Sequence, residues 1–243
     1  MLKFFRHIRQ DLIHSGKTSK YFKYAIGEVI LVVIGILIAL QVNNWNEQRK
    51  IKEQQNTFLK SVKKDLNTDA TFLKRYLKKL ELDNNKLKEQ SNRINEVSYN
   101  IDSLIDYAKN HIDVSMTPFG GFSNNTYEST KASGNVEIID DPLKQELFEL
   151  SVLQEKVQEE YISFRNSYYD EIEAISEKYT VPVSFSFIKK GSINDIIWTN
   201  IDEKDLAQRL NSWGTSKANF YRIIIANFHR TLEKTESILS LME

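Results

Sequence analysis

Between Tyr24 and Trp45 runs the only stretch of the chain apolar enough to leave water, and it limits what the remainder can be. Its unbroken core, Val29 to Leu40, is short for a spanning helix, which needs about 20 mostly apolar residues at about 1.5 Å each. Three features extend it. Tyr24, Ala25, Ile26 and Gly27 lengthen it on one side and Val42 on the other. Tyr21, Phe22 and Tyr24 at one end and Trp45 at the other stand where interfacial aromatics belong. Ile and Val occupy every face, whereas an amphipathic soluble helix keeps a polar stripe. A cleaved signal peptide is the competing reading, but Gln41-Val-Asn-Asn-Trp45 offers no small-x-small cleavage site. The expectation is an uncleaved single-pass anchor at residues 24–45, after a basic leader (1–23) and before a body (46–243).

The charge beside the anchor sets its direction. Lys3, Arg6, Arg9, Lys17, Lys20 and Lys23 precede it against the single acid Asp11, while Arg49, Lys50 and Lys52 follow it. The excess predicts a cytoplasmic N-terminus in the inner membrane and a periplasmic body. Inside the span, Glu28 is the odd residue, because a carboxylate there costs several kcal/mol unless it faces protein, water or a cation. It shares a helical face with Gly35 and Ala39, whose small-x-x-x-small spacing permits close helix approach. Glu28, Gly35 and Ala39 are therefore the candidate transmembrane partner contacts. The plainer alternative has Glu28 reaching the headgroups near Lys20 or Lys23, with the small residues as ordinary span composition.

The run Gly27-Glu-Val-Ile-Leu-Val-Val-Ile-Gly-Ile-Leu-Ile-Ala-Leu-Gln-Val-Asn-Asn-Trp-Asn-Glu-Gln-Arg-Lys50 resembles an uncharacterised single-pass membrane family of flavobacteria and relatives, the domain of unknown function numbered six-zero-nine-zero. The leader Met1-Leu-Lys-Phe-Phe-Arg-His-Ile-Arg-Gln10 and the later Thr126-Tyr-Glu-Ser-Thr-Lys-Ala-Ser-Gly-Asn-Val-Glu-Ile-Ile139 are similar to it as well. The resemblance implies a bacterial envelope protein and carries no mechanism with it.

The body reads as all-α. Charged residues make up 27% and only 8 Gly and 3 Pro interrupt the chain, which suits long helices with few turns. Leu59, Leu66, Leu73, Leu80, Leu87, Ile94, Ile101 and Ala108 recur every seven residues, a coiled-coil-like seam. That seam serves either a stalk or one long bundle helix covered by later ones. The helix is expected to reach about Glu96, with room for a kink at Asp83–Asn85. Asn100 or Asp102 should open a short helix to His111, and Pro118 with Gly120-Gly121 marks residues 112–124 as loop. Asn125 and Glu128 predict a capped short helix ending at Gly134, followed by an extended link to Ile139. Asp141-Pro142 starts a second long helix to about Tyr179. Thr180 to Phe187 alternates like an edge strand or extended crossing, and Lys189–Ser192 is a turn. Asp202 caps a helix ending at Gly214, and a last helix runs from Thr215. The expected architecture is one N-terminal transmembrane helix followed by an elongated antiparallel bundle of about three long helices plus short ones.

Catalytic chemistry is not evident. His7, His14, His111 and His229 have no metal-ligand spacing, and Asp140-Asp141 and Glu159-Glu160 read as a cap and a solvated face. With no cysteine, disulfides and thiolate chemistry are excluded. Net charge is zero, and residues 46–113 carry 14 basic against 11 acidic side chains, too even for a nucleic-acid footprint. No catalytic, cofactor or metal site is expected. The partners expected are the lipid bilayer and either a protein partner or a second copy of the chain. The leading functional expectation is an anchored interaction or scaffold protein. The alternative is a sensory or ligand-binding ectodomain acting through a partner, for which a polar pocket at Tyr161, Tyr168 or Lys131 would speak.

Overall fold

The computed structural model describes residues 18–96, 99–182, 187–188 and 190–242. Most of the basic leader, with His7 and His14, lies outside them. The first helix, α1 (Thr18–Ile94), has 77 residues, and the boundary between two compact units falls within it, between Phe58 and Leu59. In the first unit every residue from Val29 to Trp45 is exposed. Among the described residues α1 is the one helix long and apolar enough to cross a membrane.

The second unit is all-helical among its described residues. After the body portion of α1 come α2 (Ile101–Asn110), α3 (Asn125–Ala132), a 3-10 turn (Val136–Ile138), α4 (Asp141–Ser176), α5 (Ser192–Ile197) and α6 (Glu203–Leu241). The heptad seam explains the packing. Leu66, Leu73, Leu80 and Leu87 are all at most 8% exposed, as are their companions Val62, Ala70 and Leu77. From Leu73 onward they join one core with Val157, Tyr161 and Tyr168 of α4 and Phe220, Ile224 and Phe228 of α6. Each fully buried leucine there contributes roughly 1.5–3 kcal/mol. The seam is thus covered by the chain's own later helices.

Side-chain pairs fix the directions. Lys74 meets Glu236 at 2.6 Å and Glu81 meets His229 at 3.1 Å, so α6 descends along α1. Ser212 meets Glu171 at 2.7 Å and Lys234 meets Glu149 at 2.6 Å, so α6 descends along α4 too. Hence α1 and α4 are parallel, and the chain from 95 to 140 must travel back down the bundle. It does so in steps. Tyr107 reaches Gln90, Thr117 reaches Asp83, Ser123 reaches Asp69 and Thr126 reaches Asp65.

Local rules account for most boundaries, and tertiary contacts for the departures. Asn100 caps α2 by accepting the Ser103 N–H, and Asp202 caps α6 through the Asp205 N–H. The helix α1 runs uninterrupted through Asp83–Asn85, because Leu80 and Leu87 pin the core face on both sides. The capping box expected at Asn125 is not formed. Asn124 precedes α3 without a side-chain cap, and Asp65 of α1 accepts the Thr126 N–H instead, at 3.1 Å. The link before α4 is a 3-10 turn, not an extended segment, and α4 begins one residue early, with Asp140 as its cap position. The short helix α5 was not foreseen. The run after Thr180 falls mostly outside the described residues, 183–186 among them.

The largest departure is at Gly214. The helix α6 passes straight through it, since Leu210, Trp213 and Lys217 are buried on both sides and outweigh a cost of about 1 kcal/mol for a mid-helix glycine. A Cβ at Gly214 would meet nothing within 4 Å. Gly214→Ala should therefore raise stability by roughly 0.5–1 kcal/mol. Gly134→Ala should lower it, because Gly134 sits at φ 72°, where a side chain is strained. Thermal melts of the full chain followed by circular dichroism read both, and the two shifts should have opposite signs.

Candidate functional site

The descending leg between Ile112 and Asn124 has no regular structure, so its backbone polar groups need partners from elsewhere. Side chains of three helices supply four of them, the Asp113 and Thr117 carbonyls and the Phe119 and Ser123 amides. From α1, Tyr76 donates its hydroxyl to the Thr117 carbonyl at 2.9 Å, and the Asp83 carboxylate accepts from the Thr117 hydroxyl at 3.1 Å. About two turns below Tyr76, Asp69 accepts the Ser123 N–H at 2.6 Å and a Gln154 amide N–H at 3.0 Å. From α4, the Tyr161 hydroxyl donates to the same Thr117 carbonyl and accepts the Phe119 N–H at 3.0 Å. From α6, the Lys217 ammonium donates to the Asp113 carbonyl. Phe119 then drops its ring among Tyr76, Tyr161 and Phe228, with centroids 4.9–5.8 Å away.

Burial tunes these groups. It pushes the Asp69 carboxyl above the usual carboxylate range, against the pull of the Ser123 and Gln154 hydrogen bonds. It lowers the Lys217 ammonium, with Asp113 and Asp83 opposing. Trp213 and Tyr168 stand 5.2 and 5.9 Å from that ammonium, close enough for cation–π attraction. Burial also raises the Tyr76, Tyr161 and Tyr168 phenols, so they stay neutral donors. The Tyr168 hydroxyl accepts the Trp213 indole N–H at 3.0 Å. Among the described residues no buried side-chain nitrogen or oxygen lacks a partner. The cluster is saturated by its own chain, and that makes it a brace.

Beside it opens a groove of about 820 Å³ between the far end of α1, α2 and α6. Its floor is Leu87, Tyr107, Leu210 and Trp213, all buried. Amide side chains such as Asn84, Gln90 and Asn211 line its walls, with Lys88 and Arg222 at the exposed rim.

The sequence-level candidates fall elsewhere. Glu28 is half-buried and Gly35 and Ala39 are exposed on the apolar part of α1, and a Cβ at Gly35 would meet no atom within 4 Å. Tyr161 and Tyr168 are buried and spend their hydroxyls internally, while Lys131 is exposed and lies 3.6 Å from Glu128. These three do not converge on a pocket. His111 pairs with Asp106 at 3.4 Å and His229 with Glu81, each at the surface. Among the described residues no three His, Asp or Glu side chains gather as metal ligands. The groove and the buried Asp69 and Lys217 were missed. Asp69 had one readable signal: it breaks an apolar helix face between Leu66 and Leu73.

These features define an all-helical protein with one helix fit to cross a membrane and a braced body after it. Within that class, residues 28–141 match the model of a family of unknown function, DUF6090, the family that the sequence resembles. The matched region takes in the apolar helix, the α1 side of the brace and the descending leg, and ends where α4 begins. No curated protein and no solved structure matches the chain.

The raised Asp69 carboxyl makes a signed prediction. Between the ordinary carboxylate value and its raised one, the folded chain holds a proton that the unfolded chain has released, so this group makes stability fall as pH rises. Asp69→Asn keeps an acceptor for Ser123 and should flatten the pH dependence without loss at neutral pH. Asp69→Ala leaves the Ser123 N–H and Gln154 unpaired and should cost about 1–3 kcal/mol. Denaturant titrations at several pH values read both.

Proposed function

We propose that this is a non-catalytic, membrane-anchored interaction protein of the bacterial cell envelope, whose helical body binds a partner protein or a second copy of itself. Residues 24–45 hold it in the inner membrane. The basic residues preceding the span support a cytoplasmic N-terminus and a periplasmic body. Glu28, Gly35 and Ala39 give the span a face fit for close helix contact.

The observation that carries this reading is the outer face of α4. Phe148, Val152, Ile162 and Tyr169 are 38–56% exposed and fall on one helical stripe with the exposed Glu155 and Glu159, while Leu147, Leu150, Val157 and Tyr161 turn to the core. Large apolar side chains set among carboxylates along one exposed stripe suit a contact with a mixed apolar and basic protein surface. A second reading, a ligand-binding ectodomain that signals through a partner, is favoured by the groove between α1, α2 and α6. The brace itself offers that reading no site.

Two measurements test the proposal. A photo-crosslinking residue at Val152 or Ile162, activated in native membranes, should give discrete adducts, and Val152→Asp should remove those formed from position 162. Absence of adducts at both positions contradicts the α4 contact. Protease added to spheroplasts should degrade the body; a protected body would reverse the orientation.

A further inference from the structure

We propose that the groove between α1, α2 and α6 is a binding site for a small anionic amphiphile, a molecule with an apolar tail and a carboxylate head. This goes beyond the interaction role and rests on a different face of the body from the α4 stripe.

The volume fits such a ligand: about 820 Å³ lies within the range of roughly 300–1,000 Å³ that small-molecule sites occupy. The floor is apolar and aromatic, formed by Leu87, Leu210, Tyr107 and Trp213, and would take up a tail. The charge at the rim has one sign. Lys88 and Arg222 line the groove, and among the described residues no acidic side chain does. Neither cation pairs with a carboxylate among the described residues, so both charges at the rim are open to an anionic head. Arg222 spends one N–H on Asn219 at 2.7 Å, which steadies the guanidinium and leaves its other donors available.

Gly214 supplies the independent argument. A glycine inside a long helix is costly, and in turns or tight crossings the cost is offset by conformation or by close backbone approach. Neither applies here: α6 is helical through it, and among the described residues no atom beyond its neighbours and the backbone of its own helix turn lies within 4 Å of where a Cβ would stand. What Gly214 does is line the groove, with Ala207 and Ala218 on the same helix also short. The small residues leave room that the fold itself does not use.

The test uses the full chain in phosphatidylcholine nanodiscs and a dodecanoate probe carrying a photoreactive diazirine, with labelled peptides mapped by mass spectrometry. Labelling should concentrate on residues 84–95 and 207–222 and be competed by dodecanoate far better than by dodecanol. Gly214→Leu and Ala218→Phe should each weaken labelling about tenfold. The surface double variant Lys88→Gln/Arg222→Gln should abolish the preference for the carboxylate. Helical circular dichroism checks that each variant is folded. Labelling confined to residues 24–45, labelling unchanged in the variants, or equal competition by dodecanol would each overturn the assignment. None of these results bears on adducts formed from α4, so the two proposals fail separately.

Discussion

A non-helical stretch of chain, residues 112–124, runs beside α1 from Asp83 to Asp69 and takes backbone hydrogen bonds from side chains of three helices, and the core of the second unit is built around it. Its course follows from direction. With α6 descending along both α1 and α4, those two are parallel, and parallel neighbours need a long return connection. A helix would carry its own hydrogen bonds down the bundle. Residues 112–124, with Pro118 and two adjacent glycines, do not form one. Their amides and carbonyls are met by Asp69, Tyr76, Tyr161 and Lys217, and the start of α3 by Asp65. Buried polar groups left unpaired would each cost about 1–3 kcal/mol, so these side chains are as much a part of the core as the leucines beside them.

This also explains what could be read from the sequence. Periodicity exposed the three long helices, because Leu66, Leu73 and Leu80 or Leu147, Leu150 and Val157 recur at helical spacing whatever covers them. Caps at Asn100 and Asp202 were legible because the bond that defines them spans only three residues. Asp65 as the acceptor for α3 was not legible, since it lies 61 residues from the amide it binds. The continuity of α6 through Gly214 was hidden for a related reason. Local propensity argues for a stop there, and only the burial of Trp213 and Lys217 on either side overrides it. The resemblance over residues 28–141 located the region of the brace without indicating its geometry.

Function divides along the same lines. The apolar helix was evident as composition alone, and its candidate contacts Glu28, Gly35 and Ala39 lie where a bundle-derived argument has no purchase. In the body, the polar residues that looked most like a site, Tyr161 and Tyr168, are structural. Their hydroxyls are consumed holding the return leg and Trp213. What is left over points outward: an apolar stripe on α4, and a groove with cations at its rim and an unfilled position above Gly214.

The central claim is that the return leg is locked by side chains of three helices. Amide hydrogen exchange at Phe119, Ser123 and Thr126 tests it most directly. The account predicts that these amides exchange only with global unfolding of the body, as slowly as the amides of α4 and α6. Exchange at the rate of an open surface loop would show that the brace does not hold.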